Sequence, residues 1–328
     1  MYKNKSICVV IPALNEEKTI ADVIRRIPCR IDGIEHVNAT VIDDGSTDRT
    51  AEFAREAGAE VISNGVNRGL GLTFATGVDA ALARGADVIV NMDGDGQFRP
   101  EDIPKLIAPI LENRADFVTC TRFGNPEWIP DMPGTKLWGN RMMCRIINCV
   151  TRAKPGFTDV SCGYRAYSRD TALKLNLFGR FTYTQETFID LAAKDVRMTE
   201  VPLQVRGERQ HGKSRIARSL LKYGMQAGMI LLRSARDLHP LRFFGAIGGI
   251  LLLLGLAAGV FVFGHWLQTG RTTPYQSLLL GSGVSLILAF ILFVIALLAD
   301  MIGRLRKTVD HVFYLEKRRK HNSNANTH

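Results

Sequence analysis

Through the first two hundred residues, short apolar runs alternate with polar clusters and then with helix-periodic stretches. Ser6 to Ile11 is apolar and stops at Pro12; Ala39 to Ile42 stops at a pair of aspartates; Glu60 to Ser63 stops at a turn. Val88 to Met92 stops at Asp93, and Phe117 to Thr121 stops at Arg122. Runs of this length, flanked by turn residues, predict strands buried in a parallel sheet. Between them, apolar positions at Ile20, Val23, Ile24 and Ile27 predict a helix, and further helices are predicted through Glu52 to Ala57, up to Ala83, and from Glu101 to Asn113. A Gly- and Pro-rich loop from Phe123 to Thr135, a helix through Cys149, a helix opening at Thr184 and a strand from Val201 to Val205 follow. The alternation defines an α/β domain with a mainly parallel sheet.

From Ile216 to Leu238 apolar residues are mixed with Arg218, Lys222, Arg233 and Arg236, the pattern of a cationic segment lying in a membrane interface. Phe243 to Leu267 and Tyr275 to Ala299 are uncharged. Each exceeds the roughly 20 residues that span a bilayer. Basic residues flank this hairpin on both outer sides, and the connecting loop holds only Arg271. The positive-inside rule therefore places both ends in the cytosol, and the tail after Lys320 is polar enough to be disordered.

The chemistry gathers where strands end, the place at which open α/β sheets bind ligands. Asp93-Gly94-Asp95-Gly96-Gln97 offers hard oxygen donors suited to Mg²⁺ or Mn²⁺. Gly94 has no side chain to keep a phosphate from the backbone. The same five residues also suit a plain turn. Asp43 and Asp44 form a second carboxylate pair, with Ser46 or Thr47 available to cap the next helix. A dinucleotide fold would need GxGxxG after the first strand; Pro12-Ala13-Leu14-Asn15-Glu16-Glu17 stands there instead.

Taken in order, Val9 to Glu17, Val41 to Asp48 and Asn91 to Gln97 resemble family 2 glycosyltransferases of the GT-A fold, over roughly residues 6 to 215. The resemblance implies a nucleotide-sugar donor with Pro12, Leu14, Glu16 and Asp43 or Asp44 around its base and ribose. It implies Asp93, Gly94, Asp95 and Gln97 around the diphosphate and its metal, with Asp95 the favoured ligand. Arg122 and Lys136 would face phosphates, lysine standing where the family usually has arginine. Thr158 to Tyr167 resembles the acceptor-side motif, with Asp159 at the position proposed as base; Glu186, in the opening of the helix at Thr184, suits either orienting that site or the helix N-terminus. Arg206 to Arg215 resembles the basic loop of polyprenyl-phosphate glycosyltransferases, with Arg209, Gly212, Ser214 and Arg215 matching.

A formal charge of +10 calls for an anionic partner. The long apolar runs make that partner membrane and phosphorylated substrate and not nucleic acid. The six cysteines lack zinc or disulfide spacing and fit a reduced core. The reading divides the chain into a GT-A domain (1–215), amphipathic juxtamembrane helices (216–240), two transmembrane helices (241–301) and a basic cytosolic tail (302–328). It expects inverting transfer of one sugar from a UDP- or GDP-sugar to polyprenyl phosphate, and leaves the sugar and self-association open. A polysaccharide synthase is the competing enzyme, but its Q-x-x-R-W motif and extra spans are missing. A catalytically silent membrane scaffold would not need the Asp93–Asp95 pair.

Overall fold

A computed structural model describes residues 5–129, 132, 134–151, 153, 155–176, 184–206, 236 and 240–325. The chain forms two units: one of Met1–Ala227 with Val312–His328, the other of Gly228–His311.

The first unit is built on β1 (Lys5–Ala13), β2 (Ile34–Asp43), β3 (Glu60–Ser63), β4 (Val88–Asn91), β5 (Phe117–Thr121), β6 (Arg165–Ser168) and β7 (Met198–Pro202). They form one sheet in the order β3-β2-β1-β4-β6-β5-β7. Only β6 runs antiparallel, against both neighbours. The sheet is thus the mostly parallel GT-A type expected, except that β6 lies inside what reads in sequence as a loop motif. The first strand does not stop at Pro12. Its pairing with β4 ends at Val10 opposite Asn91, whereas its pairing with β2 continues to Ala13. Beyond Val10 one flank is open, so a residue without an N–H is tolerated there. β7 begins three residues earlier than predicted, its register fixed by Phe117 opposite Met198 and Thr121 opposite Pro202.

The helices are α1 (Ile20–Arg25), α2 (Thr50–Glu56), α3 (Leu70–Ala83), α4 (Ile103–Leu111), α5 (Gly134–Thr151), α6 (Arg169–Lys174) and α7 (Thr184–Ala193). Side chains of a strand alternate between faces. Ile7, Val9 and Ile11 accordingly join Ile20, Val23, Leu106 and Ile107 in one core. Val10 points the other way, where Gly77 of α3 lets the helix backbone approach: a Cβ there would fall 2.2 Å from Val10 Cγ1. Both faces of β4 are therefore buried, as its continuous apolar run requires.

The second unit contains α8 (Pro240–Thr269) and most of α9 (Gln276–Ala325). Gly248, Gly255 and Val262 are buried along α8, and Ser282, Ala289 and Ala296 along α9, each set spaced by seven. Small residues let the two helices touch: Ser282 Oγ donates to Gly255 O at 2.8 Å, and Ser285 Oγ to Leu251 O at 2.8 Å. The outward positions are large and apolar, with Leu253, Val260, Leu280 and Phe290 among the most exposed. Both helices are long and apolar enough to cross a membrane. The amphipathic stretch 216–240 lies outside the described residues apart from Arg236 and Pro240.

Of the tail after Lys320, expected to be disordered, residues 321–325 continue a helix and 326–328 lie outside the described residues; contacts of the preceding turns and of His321 with the first unit hold that helix. Tyr314 OH donates to Asp170 Oδ1 (2.6 Å), Lys317 Nζ to Leu175 O (2.6 Å) and Lys320 Nζ to Asp79 Oδ2 (3.2 Å). His321 is buried, with Nε2 3.0 Å from Asp79 Oδ1. α9 therefore ends packed beside α3 and α6, and the helix runs to Ala325.

Candidate active site

The loops after β1 and β2 are tied together before any ligand is considered. Asn15 adopts φ 55° and donates its N–H to Ser46 Oγ at 3.0 Å, while its Oδ1 accepts from Thr47 N at 2.9 Å. Glu16 N donates to Thr50 Oγ1 at 2.8 Å. Pro12 is buried at the end of β1, and Leu14 is half-buried just beyond it.

Both aspartates after β2 are buried. Asp43 accepts from Ser46 N (3.0 Å) and Ser63 Oγ (3.0 Å). Asp44 accepts from Arg68 N (2.9 Å), Gly69 N (3.0 Å) and Asn64 Nδ2 (3.0 Å). Burial alone would raise the Asp44 carboxyl, but these bonds, with Thr73 beside them, outweigh it and hold the group below its ordinary value. Asp44 thus anchors the loop after β3. Gly45 lies where that loop crosses: its φ is 77°, and a Cβ would meet Asn67 N and Val66 C at 2.8 Å.

The opening strand of the site, β4, delivers Asp93 half-buried and Asp95 almost fully buried. Asp95 Oδ1 accepts from Gln97 N at 3.0 Å. Gly94 also packs tightly: a Cβ there would meet Ile20 Cδ1 at 3.0 Å and Ile11 Cγ2 at 3.4 Å, inside the core. Its carbonyl accepts from Thr19 Oγ1 at 2.7 Å. The bare backbone beside the carboxylates is Gly163, where a Cβ would fall 3.2 Å from Asp93 Oδ2. Gln97 exchanges bonds with Arg206, whose N–H donates to Gln97 O at 3.0 Å and whose carbonyl accepts from Gln97 Nε2 at 3.4 Å. The chain therefore enters the 207–215 segment from the carboxylate turn; Arg209 and Arg215 themselves lie outside the described residues.

The donor set of Asp93, Asp95 and Gln97 is all hard oxygen, and the space Gly163 leaves against Asp93 suits a small divalent ion. Among the described residues there is no group of three or more acidic, His or Cys side chains to enclose a metal. Mg²⁺-type sites need only one or two carboxylates, completed by water and substrate phosphates.

At the other end of the sheet Arg122 and Asp159 meet. Asp159 is fully buried, and its Oδ2 accepts from Arg122 Nε at 2.6 Å while Oδ1 accepts from Arg122 Nη2 at 3.0 Å. Ser161 N adds a bond to Oδ1 at 3.1 Å, and the Ser161 hydroxyl accepts from Arg122 Nη2 at 2.7 Å. That hydroxyl lies 3.0 Å from both Asp159 Oδ1 and Asn140 Oδ1. Burial would lower the Arg122 guanidinium, but the charge and hydrogen bonds of Asp159 raise it above its ordinary value. The two residues expected to serve phosphate and proton separately thus form one forked ion pair.

Several residues of this end carry no obvious signal in the sequence. Arg165 of β6 is fully buried: Nε donates to Cys162 O (2.9 Å) and Nη2 to Val160 O (3.2 Å), over the rings of Phe117 and Phe188. Glu200 of β7 accepts from Thr158 N and Oγ1, each at 2.8 Å. Burial pushes the Glu200 carboxyl above its ordinary value despite those bonds. Asn140 Nδ2 and Cys144 Sγ of α5 donate to Thr158 O. An arginine inside an apolar run (Tyr164-Arg165-Ala166) was the one available clue. Lys136 falls in the first turn of α5 with its side chain outside the described set, and Glu186 is exposed in the first turn of α7. No cysteine is in a disulfide, and Cys8, Cys120, Cys144 and Cys162 are buried.

With this geometry in place, the comparisons agree. The model of the family described as Glycosyl transferase family 2 matches residues 8–175. The chain belongs to that family and is a glycosyltransferase. It is 30% identical over 223 residues to UDP-N-acetylglucosamine–dolichyl-phosphate N-acetylglucosaminyltransferase of Methanococcus voltae, covering 61% of this chain and 86% of the relative. It is 29% identical over 319 residues to undecaprenyl-phosphate 4-deoxy-4-formamido-L-arabinose transferase of Edwardsiella ictaluri, covering 92% and 90%. Among solved structures it resembles glucosyl-3-phosphoglycerate synthase from Mycobacterium tuberculosis, crystallised with Mn²⁺, uridine diphosphate and phosphoglyceric acid. That likeness has a TM-score of 0.52 and 25% identity, over 71% of this chain and 78% of the other.

Proposed function

We propose that the protein transfers a single sugar, with inversion, from a nucleotide-diphosphate sugar to a polyprenyl phosphate at the cytosolic face of a membrane. A phosphate oxygen of the acceptor attacks the anomeric carbon, the bond from that carbon to the diphosphate breaks, and the nucleoside diphosphate leaves with the electron pair. The relatives named for dolichyl- and undecaprenyl-phosphate acceptors support the acceptor class, and α8 and α9 supply a membrane location.

The observation that carries this reading is the buried Arg122–Asp159 pair. Asp159 is fully buried and both of its oxygens accept from Arg122, so this carboxylate is not presented to a substrate hydroxyl as a general base must be. A phosphate monoester, whose second pKa is near 6, is already an anionic nucleophile at neutral pH and needs no base. Arg122 Nε and Nη2 are engaged by Asp159 and Ser161, and Nη1 is the arm available to a phosphate oxygen. Arg209 and Arg215 would supply the remaining forked contacts, and Lys136 a point charge.

On the donor side Pro12, Leu14, Glu16 and the Asp43–Asp44 loop would cradle base and ribose. Asp95, with Asp93 and Gln97, would hold Mg²⁺ or Mn²⁺, which offsets negative charge developing on the leaving diphosphate. The test is product identification: the full chain in lipid nanodiscs is given labelled UDP- and GDP-sugars with undecaprenyl phosphate, with added metal or chelator. A labelled lipid that carries one sugar supports the reading. Label that grows into polymer on a hydroxyl acceptor, with polyprenyl phosphate ignored, overturns it. Within the same assay Asp159→Asn, which removes the counter-charge of Arg122, should lower stability and turnover together, while the turnover that remains keeps an unchanged pH profile above about 7.

A further inference from the structure

α5 has two faces with different work. Asn140, Cys144 and Asn148 point inward and hold residues 157–161, the loop that carries Asp159. Trp138, Arg141, Met142 and Arg145 are exposed and spaced i, i+3, i+4 and i+7, which lines them up along the opposite face. Trp138 is 59% exposed, more than any other aromatic side chain described in the first unit. The turn Pro126–Trp128 ahead of α5 adds Trp128 and Ile129, both exposed. Among described residues between 5 and 206, the large exposed apolar side chains are Val66, Trp128, Ile129, Trp138 and Met142, so all but Val66 fall in this one segment. No acidic residue occurs anywhere in α5, while Lys136, Arg141 and Arg145 do.

We infer that the outer face of α5, with the turn before it, is a lipid-contacting surface that sits in the interfacial layer of an anionic bilayer. The inference rests on the reading of α8 and α9 as membrane spans. Tryptophan prefers that layer because its ring is apolar and its indole N–H keeps a polar partner. Arginines between the apolar side chains can keep their stems in the layer and their charges at the headgroups. The charge pattern selects the occupant: the α5 face carries only basic charges, against the single exposed acid Glu127 in the turn, and such a stripe complements anionic headgroups. Because the inner face of the same helix holds the Asp159 loop, lipid contact on one side would bring that loop to the depth at which a polyprenyl phosphate headgroup lies. The acceptor would then reach the site without leaving the bilayer surface.

The chain has three tryptophans, Trp128, Trp138 and Trp266, so single-tryptophan reporters are simple to make in the full-length protein. The Trp128→Phe/Trp266→Phe chain is reconstituted in phosphatidylcholine vesicles with and without phosphatidylglycerol, using lipids brominated at shallow or deep acyl positions. Trp138 emission should shift to the blue and be quenched more by shallow than by deep bromines. The quenching should be stronger with phosphatidylglycerol, and Arg141→Gln/Arg145→Gln should remove that lipid dependence. The Trp128→Phe/Trp138→Phe chain, reporting Trp266, is the control for insertion. Water-like, unquenched Trp138 emission beside a quenched Trp266 overturns the inference and leaves the membrane reading intact. A blue-shifted but unquenched Trp138 means a protein cover, from a second copy or another partner, and also overturns it. If Trp266 is unquenched too, the spans themselves fail and the inference falls with them.

Discussion

The two ends of the site hold their carboxylates by different means. On the proposed donor side Asp44 and Asp95 accept from main-chain N–H groups of their own or the adjoining loop, Arg68 and Gly69 for one and Gln97 for the other. On the acceptor side Asp159 and Glu200 are answered by side chains and by segments distant in sequence, Arg122 lying 37 residues from Asp159 and Thr158 lying 42 from Glu200. A carboxylate held by its local backbone keeps its place when a neighbouring side chain changes. One held by a partner side chain shares its fate with that partner. The donor end is therefore a preformed socket, and the acceptor end is a network whose members stand or fall together.

The sharpest way to break this contrast is at Arg122. Arg122→Met leaves Asp159 buried and without its counter-charge, and breaking such a pair costs about 3–5 kcal/mol. A large drop in the thermal midpoint of the first unit is expected along with loss of transfer. The double variant Arg122→Met/Asp159→Leu should regain much of the stability and none of the activity; full activity there would show the pair to be structural alone.

The next effect is at the donor end and touches chemistry instead of folding. Asp95→Asn should lower turnover by roughly 10²–10³-fold, the scale seen when one electrostatic contact to developing charge is removed, with little change in thermal midpoint. Normal turnover with metal still required would take Asp95 out of the site.

Asp44→Asn is a milder test of the backbone socket. An amide replaces one acceptor oxygen by a donor facing a donor, and a hydrogen bond to a charged group contributes about 1.5–3 kcal/mol. Weaker donor binding, read by titration with the nucleoside diphosphate, is expected with acceptor binding unchanged. Equal losses for both substrates would mean that the two ends are not separable.

The smallest effect is on pH. The Asp44 carboxyl is held below its ordinary 3.8 in the folded chain, so the unfolded state takes up a proton first as the solution is acidified. The stability this group contributes is fully present above that value and disappears as pH falls through the lower, folded-state one, at about 1.4 kcal/mol per unit of displacement. Acid unfolding of Asp44→Asn should be shallower than that of the parent below about pH 4. Identical acid limbs would deny Asp44 this role.

The same contrast explains what could be read from the residues alone. Strand ends, the Asp43–Asp44 and Asp93–Asp95 pairs and the apolar helices are encoded locally, by runs and turns a few residues long, and the sheet places them as expected. Arg122 and Asp159 were each legible as site residues, yet nothing in their spacing reveals that they bond to each other. The antiparallel strand β6 is not legible because four residues, three of them buried and one of those an arginine, do not show a period. Glu200 escapes notice because the strand that carries it starts in Met198-Thr199-Glu200, whose polar character hides the pairing with β5. Gly94 is expected to leave room for a ligand, and its packing against Ile20 and Ile11 adds a second reason that no local pattern displays. The tail after Lys320 is expected to be loose because its composition is polar, and Asp79, the partner of His321 at its start, lies far back in the chain.

Those last contacts have a topological consequence. The first unit is assembled from chain on both sides of the hairpin, Met1–Ala227 before it and Val312–His328 after it. A bilayer cannot pass through a folded unit, so the chain that leaves this unit and rejoins it must cross an even number of times. On the proposed reading of α8 and α9 as membrane spans, parity requires both of their flanks to share one compartment, whichever compartment that is, without counting a single lysine or arginine. A third span, or a lone one, would tear Tyr314, Lys317 and His321 away from the side chains that hold them.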